Sequence, residues 1–140
     1  MTQIKLTVLG DAKAQMRHRH TSVGKFVRTY DPSAEKKLTF AGILQQNAPE
    51  KPIDGPIFLE LTFYMRRPKS HYGTGKNSEI LKDSAPEWHT SKPDGDNLEK
   101  FVTDSMNRIY YRDDSLICFV IRKKVYSDQP RTEIVLTTLN

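Results

Sequence analysis

A chain of 140 residues has room for one sizeable core and is short for two, so residues 1–140 read as one domain. With 36% hydrophobic and 28% charged residues, the composition excludes both a disordered chain and a membrane-embedded one. The formal net charge of +5 calls for an anionic partner without specifying which.

Met1 to Gly10 lacks the pattern of a signal peptide, so a cytoplasmic protein is expected. Within it Ile4, Leu6 and Val8 alternate with polar residues, the period of a half-buried strand, and Gly10-Asp11 stops it. From Asp11 to Thr29 there is no sustained period, and Arg17, Arg19, Lys25 and Arg28 make it basic; a loop or mobile hairpin is expected. His18 and His20 form an HxH, but no Cys or third His stands at ligand spacing, which favours a DNA-facing loop over zinc. Asp31-Pro32-Ser33 predicts a helix start with Asp31 as N-cap and Pro32 first in the helix, running toward Gln46. After Pro49, Pro52 and Pro56, the alternation of Ile57, Leu59, Leu61 and Phe63 predicts a second strand.

Residues 66–92 carry a second basic cluster (Arg66, Arg67, Lys69) and several Pro and Gly, and read as a long connection in which mobility is expected. A second helix is predicted over about Asn97 to Ile109, with Leu98, Phe101, Val102, Ser105 and Ile109 as its core stripe and Met106 at the margin. Two strands close the chain, near Leu116 to Val125 and Thr132 to Leu139. The first contains the apolar run Leu116 to Ile121, far below the ~18 residues that span a bilayer. It holds Cys118, the one cysteine, expected as a small buried core residue in a reducing compartment, and ends in a third basic cluster, Arg122, Lys123 and Lys124. Tyr110 and Tyr111 are expected to pack in the core rather than stack on bases. Ser115 lacks the His-Asp context of a nucleophile. The order β-α-β-α-β-β describes an α+β fold.

The stretch KPDGDNLEKFVTDSMNRIYYRDDS concentrates the chemistry. If the chain after Pro93 is extended, Asp94 and Asp96 present their carboxylates on one side, with Gly95 adding no side chain between them. The structural alternative is a helix start, with Asp96 as N-cap and Glu99 completing a capping box. On the polar helix face, Lys100 lies one turn beyond Asp96 and four residues before Asp104, positions suited to i,i+4 ion pairs. Asp113-Asp114-Ser115 reads as a turn entering the next strand, and a strand beside the helix start would carry a carboxylate back toward Asp94 and Asp96. Clustered aspartates without His or Cys are hard oxygen donors, suited to Mg²⁺ or Mn²⁺ rather than zinc.

KPDGDNLEKFVTDSMN followed by YYRDDS resembles the RusA family of Holliday-junction resolvases, whose signature is K-P-D-x-D-N-L-x-K, then Asp, then D-D. AKAQMRHRH, TYDPS, PKS, HTSKPD and QPRTEIVL match further elements of the family, so the resemblance covers nearly the whole chain. Gly95, where an apolar residue is usual, and Met16, which replaces a proline, depart from the pattern.

The resemblance implies a homodimer built on a small mixed sheet of about four strands flanked by two helices. It implies symmetric paired cleavage of four-way junction DNA in recombination and repair, in bacteria or phages, with Mg²⁺ or Mn²⁺ and no organic cofactor. The family's catalytic carboxylates fall on Asp94, Asp96 and Asp114, which are also its metal ligands, and its essential lysine on Lys100. Asp104 and His89 are auxiliary candidates, His89 as a loop anchor near the acidic segment. Lys13, Arg17, Arg19, Lys92, Arg122 and Lys123 are the candidates for contact with DNA phosphates. Two other readings remain: a dimeric protein that binds branched DNA without cutting it, and a less selective nuclease of flaps or forks.

Overall fold

The computed structural model describes residues 2–24 and 26–140. The first alternating segment is strand β1 (Gln3–Leu9), with Leu6 and Val8 buried. In the basic stretch that follows, β2 (Arg19–Val23) and β3 (Phe26–Tyr30) pair only with each other. Val23 faces Phe26 across the turn, and Gly24 takes φ 61°, a left-handed conformation that glycine adopts without steric cost. Lys25 lies outside the described residues.

Helix α1 (Ala34–Leu44) is continued by a 3₁₀ turn at Gln45–Asn47. It starts two residues later than the Asp-Pro signal predicts, with Ser33 at the cap position and no side-chain capping bond. Ser33 is buried, and its hydroxyl accepts the N–H of Met16 at 2.9 Å, so it is committed elsewhere. Asp31 instead closes the turn before the helix by accepting the Ser33 N–H at 2.8 Å.

Strand β4 (Ile57–Arg66) alternates buried and half-buried residues along almost its whole length. Helix α2 (Gly95–Met106), β5 (Ile117–Ser127) and β6 (Arg131–Thr138) complete the chain. The four-stranded sheet has the order β1-β6-β4-β5 and is mixed: β4 and β5 are parallel, the other pairs antiparallel. A parallel pair requires a long crossover, and α2 lies within the connection that supplies it. Two helices and a four-stranded mixed sheet are the architecture expected, with the β2–β3 hairpin added between β1 and α1.

The core lies between one face of the sheet and the two helices. Leu6, Val8, Ile57, Leu59, Leu61, Phe63, Ile134 and Leu136 meet Phe40 and Leu44 of α1 and Leu98, Phe101, Val102 and Met106 of α2. Phe40 and Phe101 join the helices edge to face, centroids 5.5 Å apart. Tyr110 and Tyr111 are fully buried, their hydroxyls donating to the carbonyls of Leu44 (2.5 Å) and Thr103 (2.6 Å), as core packing predicts. Helix α2 stops three residues before Ile109: Asn107 leaves the helical conformation and Arg108 takes φ 66°. This turn brings the two tyrosines back under the sheet; Met106, predicted at the margin, is fully buried, while Ile109 packs half-buried against the core.

Cys118 is exposed, against the expectation of a core residue. Ile57 of β4 pairs with Ile117 and Phe58 with Phe119, so Cys118 is the extra, unpaired residue of a bulge at the start of β5, and the apolar run is not covered on both faces there. The 66–92 connection contains two 3₁₀ turns, Lys69–His71 and Gly75–Asn77, and a bridge between Tyr72 and Leu81. Two of its cations are occupied: Arg66 pairs with Asp11 at 3.0 Å, and Arg67 donates to the Pro86 carbonyl at 2.8 Å. No described helix is long and apolar enough to cross a membrane.

Candidate active site

Asp94 sits at the cap position of α2 with extended backbone (φ −67°, ψ 145°), and the helix begins at Gly95. Asp96 is therefore inside the first turn rather than before it. The predicted capping box is absent: Asp94 makes no side-chain capping bond, Asp96 accepts only the N–H of Asn97 (2.9 Å), and Glu99 turns away to Arg122 (3.2 Å). The extended pairing of Asp94 with Asp96 is absent too, because Gly95 and Asp96 are helical and successive side chains turn by about 100°. What remains is a pair of exposed carboxylates at a helix N-terminus, where the helix dipole favours negative charge by ~0.3–1 kcal/mol each.

Beneath this turn lies β5. Pairing with β4 puts Arg122 in register with Leu61 and Lys124 with Phe63, on the core face, whereas Lys123 faces outward beside Thr62. The third basic cluster is thus split between two faces. A Cβ on residue 95 would stand 2.6 Å from Nε of Arg122, so glycine here leaves room for the guanidinium against the helix start. That gives the departure from the family pattern at Gly95 a local reason. Lys124 donates from Nζ to the carbonyls of Ser91 and Pro93, each at 2.8 Å. The Lys92–Pro93 peptide bond is cis, and the Lys92 side chain is exposed.

His89 is buried, its N–H donating to the Lys124 carbonyl at 3.1 Å and its ring 4.9 Å from that of Tyr126. Burial, then the charge of Lys124, holds its pKa below the usual imidazole value. The bond to the Lys124 carbonyl is made by the backbone; the imidazole itself reaches Ser91 Oγ at 3.4 Å through Nε2, and its buried Nδ1 has no hydrogen-bond partner among the described residues. Lys13, Arg17 and Arg19 are exposed, and the N–H of Gln15 donates to the Asn97 carbonyl at 2.9 Å, laying this basic segment alongside the first turn of α2. His20 bonds Thr29 (2.9 Å).

On the helix surface, Lys100 pairs with Asp104 at 3.5 Å, while the expected Asp96–Lys100 pair is not formed. The carboxylate of Asp104 is shared with Lys37 of α1, which bridges it to Asp31, both at 2.9 Å. Burial works against ionised Asp31, but hydrogen bonds from Lys37, the Ser33 N–H and Gln15 prevail and lower its pKa to about 2. Burial likewise opposes the charge of Lys37, and the two aspartates more than restore it. Sequence reading missed Lys37. No periodicity marks it, since its partners lie on the approach to α1 and on a different helix.

Asp113 caps the turn into β5 by accepting the Ser115 N–H at 2.9 Å; the Ser115 hydroxyl and then this N–H lower its pKa. Asp114 is left with Asn107 Nδ2 at 3.4 Å as its hydrogen-bond partner. Asn107 ends α2, so Asp114 stands near the opposite end of a twelve-residue helix from Asp94, a length of about 18 Å. The expected return of Asp114 to the helix start does not occur within the chain, because α2 runs antiparallel to β5: residue 95 meets Arg122, and residue 107 meets Asp114. Burial, then the charges of Asp114, Asp104 and Asp113, raises the pKa of Tyr111 and keeps its phenol neutral.

Among the described residues no three Asp, Glu, His or Cys side chains converge as a metal site. The donor chemistry nevertheless suits a hard cation at the helix start. Asp94 and Asp96 are exposed oxygen donors with no ion-pair partner among the described residues, and Mg²⁺ commonly binds through one or two carboxylates while keeping its waters.

Comparison with known proteins places these observations. Residues 10–137 match the family described as endodeoxyribonuclease RusA. The chain is 35% identical over 138 residues to the uncharacterized protein YqaN of Bacillus subtilis (strain 168), covering 97% of this chain and 96% of that protein. It is 30% identical over 112 residues to the crossover junction endodeoxyribonuclease rusA of Lactococcus phage r1t, covering 77% of this chain and 76% of that protein.

Proposed function

The chain belongs to the RusA family of endodeoxyribonucleases, and from that premise we propose that it resolves Holliday junctions in the cytoplasm by symmetric, metal-dependent cleavage during recombination and repair. The observation that carries the reading is the pair Asp94 and Asp96: exposed, without cationic partners among the described residues, and flanked by the basic 13–19 segment and by Arg122.

In this reading Asp94 and Asp96 hold Mg²⁺, or Mn²⁺ in its place. When bound, the ion supplies Lewis-acid charge at the scissile phosphate and makes water a competent nucleophile near neutral pH. Lys100, exposed and held only by the long pair to Asp104, is free to reach a phosphate and offset charge that builds up as the ester breaks. Asp104 positions Lys100, and His89 anchors the loop. Lys13, Arg17, Arg19, Lys92 and Arg122 contact DNA phosphates on the acidic side, and Lys123 does so where the duplex passes the other face of β5. Asp114 is also assigned to the catalytic carboxylates. One chain leaves it a helix length away, so the homodimer is the assembly that would supply it.

The test is cleavage of a labelled four-way junction with Mg²⁺ and with EDTA, comparing wild type to Asp96→Asn. Paired symmetric nicks that need metal and vanish in the variant, with junction binding retained, are expected. Tight binding by wild type without nicking in Mg²⁺ or Mn²⁺ would overturn the reading in favour of a binding protein. Equal cutting of flaps and linear duplexes would replace it with a less selective nuclease. Mixing Asp94→Asn with Asp114→Asn protein should restore part of the activity if the two carboxylates act from different subunits.

A further inference from the structure

The segment that carries the acidic pair is fastened to the sheet by a side chain that this chemistry does not use. Residues 87–89 run along the otherwise unpaired edge of β5. The N–H of Tyr126 donates to the Glu87 carbonyl at 2.8 Å, that of His89 donates to the Lys124 carbonyl at 3.1 Å, and Trp88 bridges antiparallel to Val125. Past His89 the backbone leaves the strand. Between Thr90 and Pro93, among the described residues, the hydrogen bonds that reach the backbone come from one atom, Nζ of Lys124, at 2.8 Å to each of the Ser91 and Pro93 carbonyls.

Pro93 has no N–H with which the segment could hold itself. A charged donor binds a carbonyl about twice as strongly as a neutral one. The ammonium has no carboxylate partner among the described residues, so its charge rests on two carbonyl dipoles directly before Asp94. Thr90, Ser91, Lys92 and Asp94 are all exposed, so the tie does not serve to bury apolar surface.

We propose that Lys124 is a positioning residue of the acidic site: by holding the Ser91 and Pro93 carbonyls, it sets where the Asp94 carboxylate stands for a divalent cation. The inference rests on the nuclease reading above and extends it to a residue outside the family signature.

The experiment measures Mn²⁺ binding to the full-length, DNA-free protein by electron paramagnetic resonance, in wild type, Lys124→Met and Lys124→Arg. Loss of a group that orients a metal ligand weakens metal binding by ~10–100-fold, which is the expectation for Lys124→Met. Lys124→Arg, which keeps charged donors, should recover most of that loss. Circular dichroism and junction affinity in EDTA should stay near wild type in both. In cleavage assays the Mg²⁺ concentration for half-maximal rate should rise more than the rate at saturating Mg²⁺ falls.

Wild-type Mn²⁺ affinity in Lys124→Met would overturn the inference and leave the nuclease reading standing. So would weakened junction binding at unchanged Mn²⁺ affinity, which would make Lys124 a phosphate contact. Failure of wild type both to bind Mn²⁺ and to cut would overturn the nuclease reading itself, and the inference with it. If Lys124→Met does not fold, Lys124→Gln, which drops the charge but keeps a donor, is judged by the same outcomes.

Discussion

Two sets of carboxylates lie around α2 and meet opposite fates. Asp31, Asp104 and Glu99 each hold a cationic side chain of the protein, Lys37 for the first two and Arg122 for the third. Asp94, Asp96 and Asp114 hold none among the described residues. The first set fastens elements to one another: α1 to α2 through Lys37, and α2 to β5 through Arg122. The second set fastens nothing that a neutral side chain could not hold. A carboxylate spent on an internal ion pair has little left to offer a ligand, so in the nuclease reading proposed above the second set is the one left to meet a metal or substrate.

The largest effect should come from the unpaired set. Asp96→Asn is expected to lower junction cleavage by ~10²-fold or more with little change in melting temperature, since one electrostatic contact to the reacting centre is worth about that much. A large fall in melting temperature would erase the distinction between the sets. Lys37→Met should do the converse by removing the ion-pair partner of Asp31 and the closer of the two partners of Asp104, carboxylates about one-fifth exposed. Breaking a fully buried pair costs ~3–5 kcal/mol, and the remaining exposure reduces that to about 2 kcal/mol, measurable by urea denaturation.

Acid titration sharpens the same contrast. Asp31 is lowered from 3.8 to about 2, so its stabilising contribution is complete above pH 3.8 and is lost as the pH falls toward 2. Asp31→Asn should remove that part of the acid limb of the stability curve, whereas Asp96→Asn should leave it in place. The smallest effect is expected for Gly95→Ala. The added methyl must push aside the flexible end of Arg122, while the helix start gains up to ~1 kcal/mol of propensity. Stability should hardly change and cleavage should fall a few-fold. In an Arg122→Gln background the same substitution should have little effect on cleavage, and equal effects in both backgrounds would show that the two residues are not coupled.

Much of the fold was legible because burial writes a period into the chain. Ile57, Leu59, Leu61 and Phe63 alternate because one face of β4 is covered, and Leu98, Phe101, Val102 and Ser105 recur at helical spacing because one face of α2 is. The acidic motif was legible through the resemblance, by residue type and spacing. Helix boundaries were less so, because competing side-chain bonds move them: Ser33, engaged by Met16, ends up at the cap of α1, and Asp94 rather than Asp96 at that of α2.

Sequence by itself determined the class of fold, the order of its principal elements, the family and the identity of the unusual acidic stretch, since each of these is local pattern. Tertiary structure alone decided which charges meet. It brought Lys37 to Asp104, turned Arg122 and Lys124 inward and Lys123 outward, and exposed Cys118 on an edge strand. It also set Asp114 a helix length from Asp94. Ion pairs and hydrogen bonds act over a few ångströms in space and are indifferent to distance along the chain, so only the packed arrangement of α1, α2 and β5 could assign them.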